Sequence, residues 1–156
     1  MTLEELEKRI GILEDTEKIK QLQIRYVNGL IRGEWDEVVD MFIEDGVADL
    51  PAHGVHKGRA EIDELFKKKV SRGHIGQEGD YVVHPLVSID GDRATGNWLL
   101  YLQLPYPRKR QNGQETDWSQ GYYDMEYVKI NGEWKISSLK WTERFSALRP
   151  PYHEHK

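Results

Sequence analysis

The spacing of the apolar residues changes near residue 80, and this change limits the folds that the chain can adopt. Up to about residue 70, apolar residues recur every three or four positions, as they do in amphipathic helices. Beyond residue 80 they alternate with polar residues in four strand-like runs, at about 81–89, 93–104, 115–130 and 133–145. Helices followed by consecutive strands predict an α+β domain rather than one in which strands and helices alternate.

The helical half begins with two adjoining helices, at 2–13 and about 17–31. The first carries an apolar stripe whose members are Leu3, Leu6, Ile10 and Leu13. It is expected as an N-terminal helical extension at 1–14, ahead of one domain at 15–146. The tail at 147–156 is expected to be flexible, because chain ends without an apolar pattern fray.

Two shorter helices are predicted at 35–42 and about 59–70, with a short strand near 47–55 between them. In the second half, Asp90-Gly91-Asp92 and Asn131-Gly132 predict tight hairpin turns, since Asp-Gly and Asn-Gly tolerate the positive φ that such turns need. The polar segment 105–113 is expected to form a long loop between the middle strands.

Composition excludes several classes of protein. The chain has 156 residues, no cysteine and a net charge of −5. It therefore has neither disulfides nor a thiol nucleophile, and an acidic balance argues against nucleic acid as a partner. No apolar run is long enough to span a membrane, and the charged N-terminal segment lacks a signal peptide pattern. A cytoplasmic location is expected.

Five segments carry a family resemblance in their order and combination. They are 22–30 (LQIRYVNGL), 33–36 (GEWD), 41–47 (MFIEDGV), 85–96 (PLVSIDGDRATG) and 121–136 (GYYDMEYVKINGEWKI). Together they resemble the SnoaL-like branch of the nuclear-transport-factor-two-like superfamily. The resemblance implies a cone-shaped α+β fold, in which a strongly curved, mostly antiparallel sheet wraps around the N-terminal helices. It also implies an apolar pocket and a homodimer or homotrimer.

The resemblance extends to cofactor-free enzymes such as bile-acid 7α-dehydratases, scytalone dehydratase and lindane dehydrochlorinase. In these a His or Asp in an apolar cavity removes a proton, while Tyr hydroxyls stabilise the developing charge. It implies a lyase or isomerase that needs no cofactor and acts on a hydrophobic cyclic small molecule. The alternative is a non-catalytic module of the same fold that binds a small molecule or mediates association.

Only part of the family's site is present in this sequence. The active-site Tyr falls on Tyr26, but the acidic residue that follows it falls on Ile31, and a second acidic position falls on Leu102. The catalytic His of the family falls on Asp80. The His-Asp pair is therefore not transferred directly, unless the loop brings His74 or His84 into the role.

The residues themselves suggest candidate acids and bases. Asp80 and His84 share a face if residues 80–85 are extended, so that one could act as general base and the other could orient it. The alternative is that Asp80 ends the loop and His84 is an edge residue. Asp49 lies in a predicted apolar strand and could replace the missing acid, or else it faces solvent.

Aromatic residues on the strands are expected to line the pocket. The candidates for substrate binding are Trp98, Tyr101, Tyr123, Met125 and Trp141. The odd-numbered face of the strand at 115–130 is the expected inner wall, although both faces of the strand at 93–104 are apolar. No metal site is expected, because His53 and His56 bring no third ligand at a recognisable spacing.

Overall fold

The computed structural model describes the backbone of residues 1–74, 76, 78–110 and 113–149. Side chains are described for the same residues except 104–117 and 147–149. Three α-helices precede most of the sheet: α1 (Leu3–Arg32), α2 (Trp35–Asp40) and α3 (Arg59–Glu64). A π-helical turn (Leu65–Lys69) and a 3-10 turn (Val70–Gly73) continue α3 without interruption.

Six strands form one open sheet. They are β1 (Phe42–Leu50), β2 (Gly54–Lys57), β3 (Tyr81–Asp90), β4 (Arg93–Arg110), β5 (Gly113–Ile130) and β6 (Glu133–Arg149). Their order across the sheet is β2-β1-β6-β5-β4-β3, and β1 and β6 are parallel whereas all other neighbours are antiparallel. The predicted α+β class with a mostly antiparallel sheet is confirmed.

The core lies between the helices and one face of the sheet. From α1 it receives Ile19, Leu22 and Tyr26, all of which are almost fully buried. The buried hydrophobic residues of β5 are Tyr123, Met125 and Tyr127, so the odd-numbered face of this part of the strand is the inner one, as predicted. Because side chains alternate along a strand, this face continues as the cavity wall described below.

A bulge keeps the aromatic residues of β6 on this inner face. The β5–β6 register shifts between Glu126 and Tyr127, which leaves Ser137 as the extra residue on β6. The even-numbered Trp134 and Ile136 therefore face inward before the bulge, and the odd-numbered Leu139 does so after it.

The two hairpin turns form where the sequence predicts them, but the long loop does not. Gly91 and Asn131 have φ values of 59° and 52° in turns between paired strands. Strand β4 extends to Arg110 and β5 begins at Gly113, so most of the segment expected as a loop belongs to these two strands. The expected tail beyond 149 lies outside the described residues.

The predicted helix at 35–42 ends earlier than expected, at Asp40. Phe42 instead begins β1, where it pairs with Ile136 and is buried. The Ile136 amide donates to the Met41 carbonyl at 2.8 Å. Pairing with a strand almost a hundred positions later in the chain thus overrides the local helical spacing of Val38, Val39 and Phe42.

Helix α1 is one continuous helix rather than two. It opens with a capping box between Thr2 and Glu5 and ends at Gly33, which has φ 69°. The apolar stripe of its first thirteen residues is exposed, whereas Asp15 and the residues that follow it along the inner face are buried. Among the described residues, no helix is both long enough and apolar enough to cross a membrane.

The exposed stripe leads to a prediction about stability. Ile10→Ala is expected to change the free energy of unfolding by less than about 0.5 kcal/mol, because Ile10 is 52% exposed. Ile19→Ala, on the same helix but fully buried, is expected to cost about 2–4 kcal/mol. Urea unfolding of both variants measures the difference. A cost above about 1 kcal/mol for Ile10→Ala would contradict this and show that the stripe is covered in solution.

Candidate functional site

A cavity of about 310 Å³ opens between the helices and the inner face of the sheet. Its walls are mainly apolar and aromatic, which is typical of small-molecule sites. Residues from α1 and the sheet that line it are Tyr26, Leu30, Leu50, Leu100, Leu102, Tyr123 and Trp141. The turns contribute the polar residues His53, Lys69, His74 and Asp80.

Asp80 lies directly before β3 and is held there by backbone pairing of its neighbour. The amide of Gly79 donates to the Gln103 carbonyl at 3.0 Å, and the Gln103 amide donates to the Gly79 carbonyl at 3.2 Å. The Asp80 side chain is only 1% exposed, and its Oδ1 has no hydrogen-bond partner among the described residues. Burial, and then the negative charge of Glu78, raise the pKa of Asp80 to about 7.

His74 faces Asp80 across the cavity wall. Its Nδ1 lies 3.0 Å from the Val70 carbonyl oxygen, which can only accept, so Nδ1 carries the proton and donates. In the neutral form of the ring, Nε2 is then a lone pair that can accept a proton, and it lies 3.9 Å from Oδ2 of Asp80. This Nε2 is buried and has no hydrogen-bond partner in the part of the chain that the structure describes. Trp35 packs edge-on against the ring and fixes its plane.

Two tyrosines form the wall next to Asp80. Tyr26 of α1 and Tyr123 of β5 meet edge to face, with ring centroids 5.9 Å apart. Burial raises the pKa of Tyr26 well above its usual range, and the neighbouring Tyr123 and Asp80 raise it further. Burial likewise raises the pKa of Tyr123. Both phenols therefore stay protonated at neutral pH and can donate hydrogen bonds.

Trp141 closes the wall on the side of β6. The centroids of the Trp141 and Tyr123 rings lie 5.3 Å apart, and the angle between the two ring planes is 55°. The β5–β6 register shifts between Gln120 and Gly121 at this point. A methyl group on Gly121 would overlap the Thr142 carbonyl oxygen and lie 2.7 Å from the Trp141 ring, so only glycine permits this close approach.

The structure corrects the partner that the sequence suggests for Asp80. His84 is exposed, with φ 53°, and lies where the β3–β4 register shifts between Val83 and Leu86. This bulge breaks the alternation on which the shared face of Asp80 and His84 depended. Asp80 itself precedes the strand, and His74 is the imidazole beside it.

Asp49 and Tyr101 also lie away from the cavity. Ala48 is fully buried, so strand alternation turns Asp49 to the opposite face of β1, where it is half-buried. On β4, Leu100 and Leu102 line the cavity and Tyr101 is 36% exposed on the other face. Since both faces of β4 are apolar, its alternation pattern does not indicate which one is inside.

Trp98 and Met125 are buried in the core instead of lining the cavity. The indole Nε1 of Trp98 donates to the Tyr127 hydroxyl at 3.1 Å, and that hydroxyl donates to Oε1 of Gln23 at 2.8 Å. This chain of hydrogen bonds ties β4 and β5 to α1 beneath the cavity. Of the five predicted substrate-binding residues, Tyr123 and Trp141 lie in the cavity wall.

Lys69 and His53 line the cavity, although the sequence does not predict this position for either residue. Lys69 is the last of three consecutive lysines, after Lys67 and Lys68, at the end of a predicted amphipathic helix. Such a run of charged residues usually indicates a face exposed to solvent. The π-helical turn changes which of these lysines faces the domain, and such turns are frequent at functional sites. The one feature of the sequence that points to His74 is its position in a Gly-rich loop, six residues before Asp80.

The arrangement is suited to moving a proton in an apolar space. A carboxyl group with pKa near 7 is present in both forms at neutral pH, and an imidazole lone pair and two phenol donors lie around it. The described residues contain no cluster of three or more His, Asp or Glu side chains that could hold a metal ion.

Comparison with known proteins agrees with the fold. A family model for the SnoaL-like domain matches residues 11–140. A type 2 hexachlorocyclohexane dehydrochlorinase superposes with a TM-score of 0.79 at 15% identity, over 92% of this chain and 95% of the other. A candidate scytalone dehydratase from Novosphingobium aromaticivorans superposes with a TM-score of 0.76 at 16% identity, over 92% and 91%.

A third solved structure, an NTF2-like protein with a cystatin-like fold from Novosphingobium aromaticivorans, gives a TM-score of 0.73 at 19% identity. This match covers 92% of this chain and 90% of the other. At these identities the structural matches establish a shared fold, and they do not assign the activities of these proteins to this chain. The family model covers most of the chain, and the open sheet with N-terminal helices agrees with it. The chain therefore belongs to the SnoaL-like family.

Proposed function

We propose that this protein is a cofactor-free lyase or isomerase that removes a proton from a carbon atom of a hydrophobic cyclic substrate. Asp80 is the general base. The observation that carries the proposal is its buried carboxyl group, which has a pKa near 7 and an unpartnered Oδ1 in the wall of an apolar cavity. A buried carboxylate is costly, so its presence without a structural partner favours a chemical role.

The substrate we propose carries a carbonyl group next to the acidic C–H bond. The Asp80 carboxylate takes the proton, and the electron pair moves toward the carbonyl oxygen to give an enolate. The protonated hydroxyls of Tyr26 and Tyr123 supply hydrogen-bond donors for that oxygen, which stabilises the charge as it develops. In an isomerisation, Asp80 returns the same proton to a different carbon of the enolate.

Elimination of water uses the same first step with His74 as a relay. The proton taken by Asp80 passes to Nε2 of His74, and the Nδ1–H bond to Val70 keeps that nitrogen on the side of Asp80. The enolate forms a carbon–carbon double bond while the neighbouring C–O bond breaks. The departing hydroxide takes the proton from Nε2 and leaves as water, so no external acid or oxidant is needed.

Two fold relatives support this chemistry, since their names describe a dehydrochlorinase and a candidate dehydratase. The absence of carboxylates at Ile31 and Leu102 is the sequence feature that favours the alternative, a non-catalytic binding module. The buried Asp80 beside Tyr26 favours the enzyme, because a passive apolar pocket gains nothing from a carboxyl group of raised pKa.

Hydrogen exchange tests the proposal without knowledge of the natural substrate. The protein is incubated in D₂O with a panel of bicyclic ketones, and loss of the proton next to the carbonyl is followed by NMR. We expect the wild type to accelerate exchange for ketones that bind. Asp80→Asn is expected to lower the rate by about 10²–10⁴-fold, the usual contribution of a general base. The rate should rise with pH through about 7, as Asp80 ionises.

Two further variants distinguish the imidazoles. Dehydration of a bicyclic β-hydroxy ketone, measured by the absorbance of its conjugated product, should fall in His74→Gln and remain in His84→Gln, because His84 is exposed. Asp45→Asn, an exposed carboxyl on β1, is the matched control for Asp80→Asn. Equal exchange rates in the wild type and Asp80→Asn would contradict the proposal and favour the binding module.

A further inference from the structure

The cavity has a second polar group, separate from Asp80 and His74. It consists of Lys69 from the π-helical turn and His53 from the turn between β1 and β2. Among the described residues, the basic group within 4.0 Å of the Asp80 carboxylate is His74, so the Lys69 ammonium lies in a different part of the wall.

A neutral histidine holds Lys69 in place. His56 is buried, and its Nδ1 lies 3.2 Å from the Gly54 carbonyl oxygen, which only accepts. Nδ1 therefore carries the proton, and Nε2 of the neutral ring is an acceptor. This Nε2 lies 2.9 Å from Nζ of Lys69, which donates to it. The contact fixes the ammonium without neutralising its charge.

The remaining charge of Lys69 has no counter-ion in the described part of the chain. No described carboxylate lies within ion-pair distance of its Nζ, although Lys67 of the same turn pairs with both Asp36 and Asp63. An ammonium has three N–H donors, and His56 accepts from one of them. The half-buried ammonium therefore keeps N–H donors with which it can bind an anion that enters the cavity, and no described residue supplies that anion.

We propose that Lys69, together with His53, binds a carboxylate group of the substrate, so that the ligand of this cavity is an apolar cyclic acid. One fixed ammonium matches one negative charge, whereas a phosphate dianion needs more cations than this wall provides. The Asp80 carboxylate repels an anion from its own end. The ligand is thereby oriented with its acid at Lys69 and its reacting carbon toward Asp80.

This inference specifies the substrate class of the proposed function. It rests on that function, because the carboxylate at Lys69 matters for the reaction only if Asp80 acts on the bound molecule. Its test is a binding measurement, which is independent of turnover. Naphthoate and its neutral isostere naphthamide are titrated into the protein at pH 7.5 and low salt, with the quenching of tryptophan fluorescence as the readout. The wild type is expected to bind naphthoate at least about tenfold more tightly than naphthamide, and added NaCl should reduce this preference.

Three variants at neighbouring positions assign the preference. Lys69→Met is expected to bring the two dissociation constants within about twofold of each other, and Lys69→Arg, which keeps the charge, is expected to restore most of the preference. Lys68→Met is the matched control, since Lys68 is exposed on the same turn. Thermal unfolding verifies that each variant is folded.

Equal affinity of the wild type for the two ligands, or an undiminished preference in Lys69→Met, would overturn the inference. Neither result bears on hydrogen exchange by Asp80, which is measured with neutral ketones. Conversely, exchange that does not depend on Asp80 would remove the proposed reaction and leave the carboxylate preference standing.

Discussion

Asp80→Asn is expected to make the protein more stable at high pH and to have a much smaller effect at low pH. The pKa of Asp80 is about 7 in the folded chain against an ordinary value of 3.8. The folded state thus binds its proton more tightly than the unfolded state does. Wild-type stability associated with this group is fully present below pH 3.8 and is lost as the pH rises through about 7. Asparagine has no charge to bury, so the variant avoids this loss.

The size of the expected stability difference follows from the two pKa values, 3.8 and about 7, because a tenfold change in proton affinity is equivalent to about 1.4 kcal/mol. Between pH 5 and pH 8.5 the advantage of Asp80→Asn over the wild type should grow by roughly 2–3 kcal/mol. For a chain of this length that is about 5–10 °C in Tm. Calorimetric scans of both proteins at the two pH values measure it, with the exposed Asp45→Asn as control. An advantage that does not increase with pH would contradict the raised pKa.

Asp15→Ala is expected to be the most destabilising change outside the apolar core, at about 2–4 kcal/mol. The Asp15 carboxylate accepts from Nζ of Lys129 at 2.6 Å and from Nε1 of Trp134 at 3.0 Å. It thereby joins α1 to the last hairpin across more than a hundred residues of chain. Removing it leaves both donors without their acceptor, and the Lys129 ammonium stays over the Trp134 ring without its counter-ion.

The pH dependence of this second effect has the opposite sign. Burial tends to raise the pKa of Asp15, but the hydrogen bonds from Lys129 and Trp134 outweigh it and the net shift is downward. The stabilisation is present above the ordinary value of 3.8 and is lost as the pH falls through the lower folded value. Chemical unfolding of Asp15→Ala and of its exposed neighbour variant Glu14→Ala at pH 7 and pH 3 measures this. Equal stability of Asp15→Ala and the wild type at pH 7 would show that the contact contributes nothing.

Asp80 lowers stability at neutral pH and Asp15 raises it, although both are buried carboxyls next to apolar residues. The difference lies in their partners. Asp15 has an ammonium and an indole N–H within hydrogen-bond distance, whereas Asp80 has an unpartnered Oδ1 and an imidazole nitrogen 3.9 Å from Oδ2. A group that costs stability in this way is typical of a functional site rather than a structural one.

Local patterns were sufficient for much of this fold. The change of apolar period, the Asp-Gly and Asn-Gly turns and the inner face of β5 all follow from short-range spacing and backbone preference. Tyr26 and Tyr123 are predicted for the site and do line the cavity, because α1 and β5 each have one clearly apolar face. Trp141 also lines the cavity, but the bulge at Ser137 is what places the odd-numbered residues after it on the inner face of β6. Where both faces of a strand are apolar, as on β4, the sequence alone could not distinguish Leu100 from Tyr101.

The sequence by itself therefore determined the class of the fold, the positions of most helices and strands, and the presence of Asp80 as an acid in an unusual place. Only the tertiary structure decided that His74 rather than His84 stands beside it, since a bulge in β3 and a turn after α3 set their directions. It also decided that Lys69 reaches the cavity. Which charged groups share a wall depends on contacts between distant segments, and no local spacing encodes the geometry of that packing.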